Sequence, residues 1–312
     1  MQEPLVAIVG PTAVGKTRLS LALAQDLDGE IISADSMQIY KKMDIGTAKA
    51  SQEEQKLVPH YMIDIIEPNQ EFSVADFQTR VDELIPKISQ KGKLPLLVGG
   101  TGLYVKSVID GFIFPDMEVD WELRKRLEEE AEEYGTQHVH DKLREIDSKL
   151  ADKLHPNDLR RVIRGIEVYQ QTGKTTTYFK EKAKNTPPRY QVVKIGLRRS
   201  RENLYQRINQ RVDLMIKEGL IDEVRELYYD EGYNRDLISM QGLGYKEIIA
   251  YFEGEYDLDE AIRLIKRDTR HFAKRQFTWF KRDKSINWFD VEEYDFDSLL
   301  NEVKEIVSSK IK

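Results

Sequence analysis

The stretch VAIVGPTAVGKTRLSLALA, Val6 to Ala24, decides the fold. A short apolar run ends at Gly10, and a helical spacing of apolar residues runs from Lys16 to Leu27. Between them the chain matches the phosphate-binding spacing G-x-x-x-x-G-K-[ST] in its required context, a strand before and a helix after. Gly10, Pro11, Thr12, Ala13, Val14, Gly15, Lys16 and Thr17 are therefore the expected phosphate cradle. Glycines let backbone N–H groups curl around an anion, and the helix start adds the positive end of its dipole. Lys16 adds a point charge, and the Thr17 hydroxyl is the expected ligand for Mg²⁺. A second Gly-Lys-Thr, at 173 to 175, has Val168 in place of the upstream glycine and closes a helical pattern, so it carries no such expectation.

Working outward, PLVAIVG, EIISAD and KLPLLVGG alternate with helical patterns, the last of which runs from Leu103 to Ile109. Strand and helix in alternation imply parallel pairing. After Asp110-Gly111 the texture changes to charged amphipathic helices: WELRKRLEEEAEEYG, DKLREIDSKLADKL and NDLRRVIRGIEVYQQTG. The last has Asn157 or Asp158 as its cap and Gly173 as its stop, with Pro187-Pro188 as a linker signal. A strand returns in YQVVKIGLRR, Arg201 to Phe280 reads mostly helical, and a short strand INWFDV precedes a final helix. The expected fold class is α/β: a P-loop NTPase-like parallel sheet flanked by helices, with an inserted all-helical subdomain and a helical C-terminal part. The expected boundaries are 1–112 with 189–312 for the core and 113–188 for the insertion.

Composition narrows the function classes. The 312 residues include 40% hydrophobic ones, enough for a real core. There is no cysteine, which excludes disulfides, thiolate metal sites and cysteine nucleophiles, and five histidines leave little for a metal cluster. No basic leader with a long apolar run precedes the first strand, and no apolar run approaches the roughly 20 residues of a membrane helix. A cytoplasmic protein with no membrane association is expected. The net charge of −7 hides two basic windows. Arg160 to Arg211 holds 14 Lys/Arg against three acids, and Arg263 to Lys284 holds nine against two. They are either solvated helical faces or surfaces for a polyanion.

A P-loop normally serves a nucleoside triphosphate, and such enzymes close a neighbouring strand with an acid that helps hold Mg²⁺. The corresponding strand here ends in Gly99-Gly100-Thr101, with no acid. Asp35, after the second apolar run, lies instead on the same carboxyl edge of the sheet, where ligands of open α/β folds bind. It reads either as a turn or cap aspartate or as a base placed beside a phosphate chain that is discarded rather than transferred.

At these residues the chain resembles the tRNA dimethylallyltransferase family in its compact bacterial form. The resemblance is carried by GPTAVGKT (10–17), ADSMQIYKKMDIGTAKA (34–50), PHYMIDI (59–65), LLVGGTGLY (96–104), HPNDLRRVIRGIEVY (155–169), QGLGYKE (241–247) and TRHFAKRQFTWF (269–280), in order along the whole chain. Larger members carry a C2H2 zinc finger, which a chain without cysteine cannot form. The resemblance implies transfer of the dimethylallyl group from dimethylallyl diphosphate to N6 of the adenosine 3′-adjacent to the anticodon, in tRNAs reading codons that begin with U. It implies Mg²⁺ as cofactor, the tRNA anticodon stem-loop as partner and a monomer. Asp35 then matches the general base, and Lys16, Thr17 and Arg211 match the groups at the leaving diphosphate. Thr101 matches a threonine near the target nucleotide. For tRNA contact the resemblance implies Asp35, Ser36, Met37 and Gln38, then Thr101, then Arg124 (with Arg126 close enough to be confused with it), Arg160, Arg161 and Arg164. It further implies Gln241, Gly242, Gly244, Tyr245 and Lys246 in one turn, and Lys274, Arg275, Gln276 and Trp279 on the C-terminal basic helix. Two rival readings remain at this stage: a small-metabolite kinase using ATP in the same cradle, and an RNA-binding switch that senses nucleotide.

Overall fold

Strand β1 (Glu3–Val9) is buried from its third residue onward and lies inside a six-stranded sheet. It pairs in parallel with β4 (Leu94–Gly99) on one side and β5 (Tyr190–Arg198) on the other. Beyond β4 come β2 (Gly29–Ser33) and the two-residue edge strand β3 (His60–Tyr61); beyond β5 comes β6 (Asn287–Asp290). All neighbours are parallel, in the order β3-β2-β4-β1-β5-β6. The structure, a computed structural model, describes residues 2–311.

Both faces of the sheet are covered, which is why β1 reads as a continuous apolar run rather than an alternating one. Val6 and Ile8 pack with Leu19 and Leu23 of α1 (Lys16–Asp26), Ile208 of α10 (Arg201–Lys217) and Val303 of α14 (Phe296–Lys310). Leu5 and Val9 pack oppositely with Phe77, Val81 and Ile85 of α3 (Val74–Gln90) and Val105 and Val108 of α4 (Gly102–Ile109). A third apolar cluster joins Ile39, Tyr40 and Met43, after β2, to α10, α11 (Leu220–Arg225), α12 (Tyr245–Phe252) and α13 (Leu258–Phe280). The short α2 (Gln52–Leu57) starts from a Ser51 capping box.

By its contacts the chain divides into two compact units. One runs to Ile109 and resumes at Arg189; the other spans Asp110–Pro188. The second is all helical: α5 (Trp121–Tyr134), α6 (Thr136–Ile146), α7 (Ser148–Ala151), α8 (Leu159–Thr172) and α9 (Thr176–Asn185), around its own core of Leu123, Leu127, Val139, Leu143, Val162 and Ile166. Helix α9 was not anticipated. Its Thr175 side chain caps the start by accepting the Tyr178 N–H, so the Gly-Lys-Thr that closes α8 also opens the next helix. Among the described residues no helix is long and apolar enough to cross a membrane.

In the helical unit a fully buried carboxylate, Glu167 of α8, ties α8 to α5. It accepts Arg124 Nε and Nη2 at 2.9 Å each, Arg164 Nη1 at 2.6 Å and the Asp120 N–H at 3.0 Å. Burial pushes its pKa up, but these donors outweigh it and hold the carboxyl below its ordinary value.

Two outcomes follow for stability. A Cβ at Gly99 would stand 2.1 Å from the Ala34 carbonyl oxygen, so Gly99→Ala should cost about 1–3 kcal/mol, read as a lowered denaturation midpoint; an unchanged midpoint would contradict this packing. Glu167→Gln should cost about 2–4 kcal/mol at neutral pH. Because the folded carboxyl titrates below its unfolded value, that contribution is present above the ordinary carboxylate range and fades as pH falls through the folded value. The wild-type advantage should therefore shrink in unfolding measurements taken from about pH 5 downward, and a constant gap would show that the ion pairs do not carry it.

Candidate functional site

The chain leaves β1 through Gly10 at φ 146°, where a Cβ would meet the Leu197 carbonyl oxygen at 2.6 Å. No other residue type fits that turn. The loop closes at Gly15, φ 116°, against the start of α1. Lys16 arches over its own loop, its Nζ donating to the carbonyls of Gly10 at 2.9 Å and Pro11 at 2.8 Å. Burial lowers its pKa to about 8, with the Asp35 carboxylate pulling it back up. Pro11 has no N–H, and the Thr12 N–H donates to Gln276 Oε1 at 2.9 Å. The backbone donors for an anion therefore come from Ala13 to Thr17, a narrower cradle than the eight-residue motif suggests. Arg199 Nε and Arg207 Nε brace the loop by donating to the Val14 and Ala13 carbonyls at 3.1 and 3.0 Å. Sequence reasoning missed both: they sit within a long basic window whose spacing does not single them out.

Asp35 follows β2 by two residues. Its Oδ1 accepts the Met37 N–H at 2.9 Å, so it is a turn aspartate as well as a carboxylate in the cavity. Burial raises its pKa; the Met37 N–H, Lys16, the Gln38 N–H and Arg211 hold it back, and the balance stays above the ordinary value. Arg211, on α10, reaches the same cavity, its pKa lowered by burial and supported by Asp35. Thr101 Oγ1 accepts the Ser36 N–H at 3.0 Å, fastening the turn after β4 to the segment after β2.

These groups line a cavity of about 390 Å³, within the range of small-ligand sites. One side carries Lys16, Thr17, Asp35 and Arg211; apolar lining comes from Met37, Val212, Met215, Leu220, Ile265 and Phe272. The Thr17 hydroxyl is a hard oxygen donor on the phosphate side of that cavity. No cluster of three or more His, Cys, Asp or Glu suited to a metal exists among the described residues. One such hydroxyl fits Mg²⁺, whose remaining ligands come from phosphate oxygens and water.

Three residues expected at RNA are turned inward. Gln38 accepts from Ser33 Oγ at 2.8 Å and donates to the carbonyls of Thr47 and Ala48 at 3.2 Å, so its amide holds the loop. The Tyr245 ring is 1% exposed and its hydroxyl donates to Glu223 Oε1 at 2.6 Å. Gln276 is buried, bonded to Thr12 and to the Gly100 carbonyl at 3.1 Å. Glu223 itself was missed. It also accepts the N–H groups of Asp44, Ile45 and Gly46 at 2.9, 2.7 and 3.1 Å, shaping the wall that Gly46 to Ala48 give the cavity. On an amphipathic helix its sequence context reads only as a surface acid.

Of the rest, Ser36 and Met37 are half-buried beside Asp35, and Gly242 packs on the Met37 methyl group. Gly244, φ 95°, opens α12 and donates its N–H to Glu247 Oε2 at 2.8 Å. Gln241 is exposed and Lys246 lines the cavity. On α13, Lys274, Arg275 and Trp279 are exposed and line a shallow groove with His271, Thr278 and Arg282. In the helical unit Arg160 and Arg161 are exposed, Arg161 lying 3.3 Å from Asp158. Arg124 and Arg164 are anchored on Glu167, whereas Arg126 is exposed.

Comparison with known proteins identifies the family. The family model for IPP transferase matches residues 38–283. A tRNA dimethylallyltransferase of Halothermothrix orenii is 61% identical over 302 residues, covering 97% of this chain and 92% of that protein. The crystal structure of the full-length tRNA isopentenylpyrophosphate transferase of Bacillus halodurans matches with a TM-score of 0.75 at 49% identity, covering 99% of this chain and 97% of that one. A eukaryotic dimethylallyltransferase acting on tRNA matches with a TM-score of 0.85 at 27% identity, covering 99% of this chain and 80% of that one. The chain described here belongs to the IPP transferase family, that of the tRNA dimethylallyltransferases.

Proposed function

We propose that this chain transfers the dimethylallyl group from dimethylallyl diphosphate to N6 of the adenosine 3′-adjacent to the anticodon of tRNA, releasing diphosphate. The observation that carries this reading is a carboxylate, Asp35, opening into the P-loop cavity from β2, while β4 ends in glycines with no acid. The N6 lone pair attacks the allylic carbon, the carbon–oxygen bond to the diphosphate breaks, and the N6 proton passes to Asp35. An exocyclic amine is a poor nucleophile because its lone pair is delocalised, so a positioned acceptor with a raised pKa helps. Amides from Ala13 to Thr17, with Lys16 and Arg211, hold the departing diphosphate in place as its charge develops. Thr17 would hold Mg²⁺ through its hydroxyl, and the ion, when bound, neutralises diphosphate charge.

The target adenine stands in folded RNA and must leave its stack to reach Asp35. Exposed Arg160 and Arg161 on α8, and Lys274, Arg275 and Trp279 on α13, supply cations and an aromatic face for an unstacked strand. The working form we propose is the monomer that the family resemblance implies. A metabolite kinase would use the cradle equally well but would leave the basic face of α13 without a role.

The experiment is to mix the protein and Mg²⁺ with an unmodified anticodon stem-loop and either labelled dimethylallyl diphosphate or γ-labelled ATP. Label should pass from the allylic donor into RNA; transfer from ATP alone would favour the kinase. Asp35→Asn should lower kcat by about 10²–10⁴ with stem-loop affinity nearly unchanged, and near-normal turnover would remove Asp35 as the base. Arg161→Ala should weaken stem-loop binding and flatten the salt dependence by about one ion per phosphate lost. An unaltered slope would place Arg161 away from the RNA backbone.

A further inference from the structure

We propose that Gln276 is a positioning residue that fixes the shape of the diphosphate cradle by tying the P-loop to the glycine turn after β4. Gln276 sits on α13 directly after the exposed Lys274 and Arg275, yet it is 6% exposed and points inward. Its Oε1 accepts the Thr12 N–H at 2.9 Å and its Nε2 donates to the Gly100 carbonyl at 3.1 Å. Thr12 and Gly100 lie just past the ends of β1 and β4, which pair as neighbours with Val9 opposite Gly99. One side-chain amide thus spans two adjacent loops.

The chemistry is specific. One loop presents a donor and the other an acceptor, and a primary amide answers both at once. A carboxylate would set an oxygen against the Gly100 carbonyl, and an aliphatic chain would leave that buried C=O and the half-buried Thr12 N–H without this partner, at a real cost. The space is shaped for it: a Cβ on Gly100 would stand 2.1 Å from Gln276 Nε2. The bond also sets which amides face the anion. With Thr12 turned toward Gln276, the loop is held in the conformation in which Lys16 reaches the Gly10 and Pro11 carbonyls.

This inference rests on the diphosphate reading of the cavity, and its test separates the two. Binding of inorganic diphosphate with Mg²⁺ to the full chain, without RNA, is measured by calorimetry; a wild type that binds none would overturn the diphosphate reading and this inference with it, before any variant is made. Given wild-type binding, Gln276→Ala and the volume-matched Gln276→Met should both weaken diphosphate binding and raise KM for dimethylallyl diphosphate, on the order of tenfold for one lost pair of hydrogen bonds. Stem-loop affinity should stay within about twofold of wild type. Weakened stem-loop binding with diphosphate affinity intact would make Gln276 an RNA contact instead, and unchanged diphosphate binding in both variants would equally sink the proposal. Should neither variant fold, hydrogen exchange of the wild type decides: the Thr12 amide should be protected relative to those of Ala13 to Gly15, and rapid exchange there would overturn the assignment.

Discussion

Lys16, Arg211 and Asp35 share one cavity, and the cost of taking three charges partly out of water together is the constraint to which the rest of the site answers. Burial drives each toward its neutral form: the lysine and arginine pKa values fall and that of the aspartate rises. The carboxylate favours both cations and they favour it, while Arg211 and Lys16 repel one another. Two cations against one anion leave an excess of positive charge. A diphosphate supplies what is missing, and the same surplus favours the species that builds negative charge as a leaving group departs.

The sheet order makes that arrangement possible. With β1 flanked by β4 and β5, the loop after β1 lies between the ends of its neighbours, and β2 is one strand further out. The carboxylate and the cradle therefore come from different strands and meet at the carboxyl edge, as ligand sites in open parallel sheets do. Arg211 comes from α10, which packs through Ile208 in the same apolar cluster as Val6 and Ile8. Its reach is fixed by core packing rather than by a mobile loop.

What could be read from the sequence were features whose chemistry is local. The glycines of the P-loop, the strand before Asp35 and the switch from strand to charged helix at Asp110-Gly111 each declare themselves within about ten residues. What could not be read was the direction of polar side chains. Gln38, Tyr245 and Gln276 sit in motifs that resemble RNA-contacting segments, and each side chain turns inward to a loop it holds. The partners of the loop-holding groups can be distant in sequence: Gln276 meets Thr12 across 264 residues, and Glu223 meets Ile45 across 178. Residue type announces the capacity to hydrogen-bond, but only packing chooses the partner. The strand β3, two residues long, has no periodicity to detect, and α9 was hidden because its cap coincides with the end of the preceding helix.

The end of β4 shows why this cavity suits loss of a diphosphate better than transfer of a phosphoryl group. An acid there would have to replace Gly99, Gly100 or Thr101. A Cβ at the first would collide with the Ala34 carbonyl oxygen and at the second with Gln276, each at 2.1 Å. Of the turn that holds the metal-binding acid in phosphoryl-transfer P-loop enzymes, Gly99 is thus closed by backbone, a side chain at Gly100 would displace the Gln276 amide, and Thr101 is engaged with the Ser36 N–H. The one carboxylate among the groups lining the cavity enters from β2, where the backbone N–H groups of Met37 and Gln38 face it and burial still keeps its pKa raised. A group so placed serves better to take a proton from an incoming amine than to clamp a metal on the phosphate being moved.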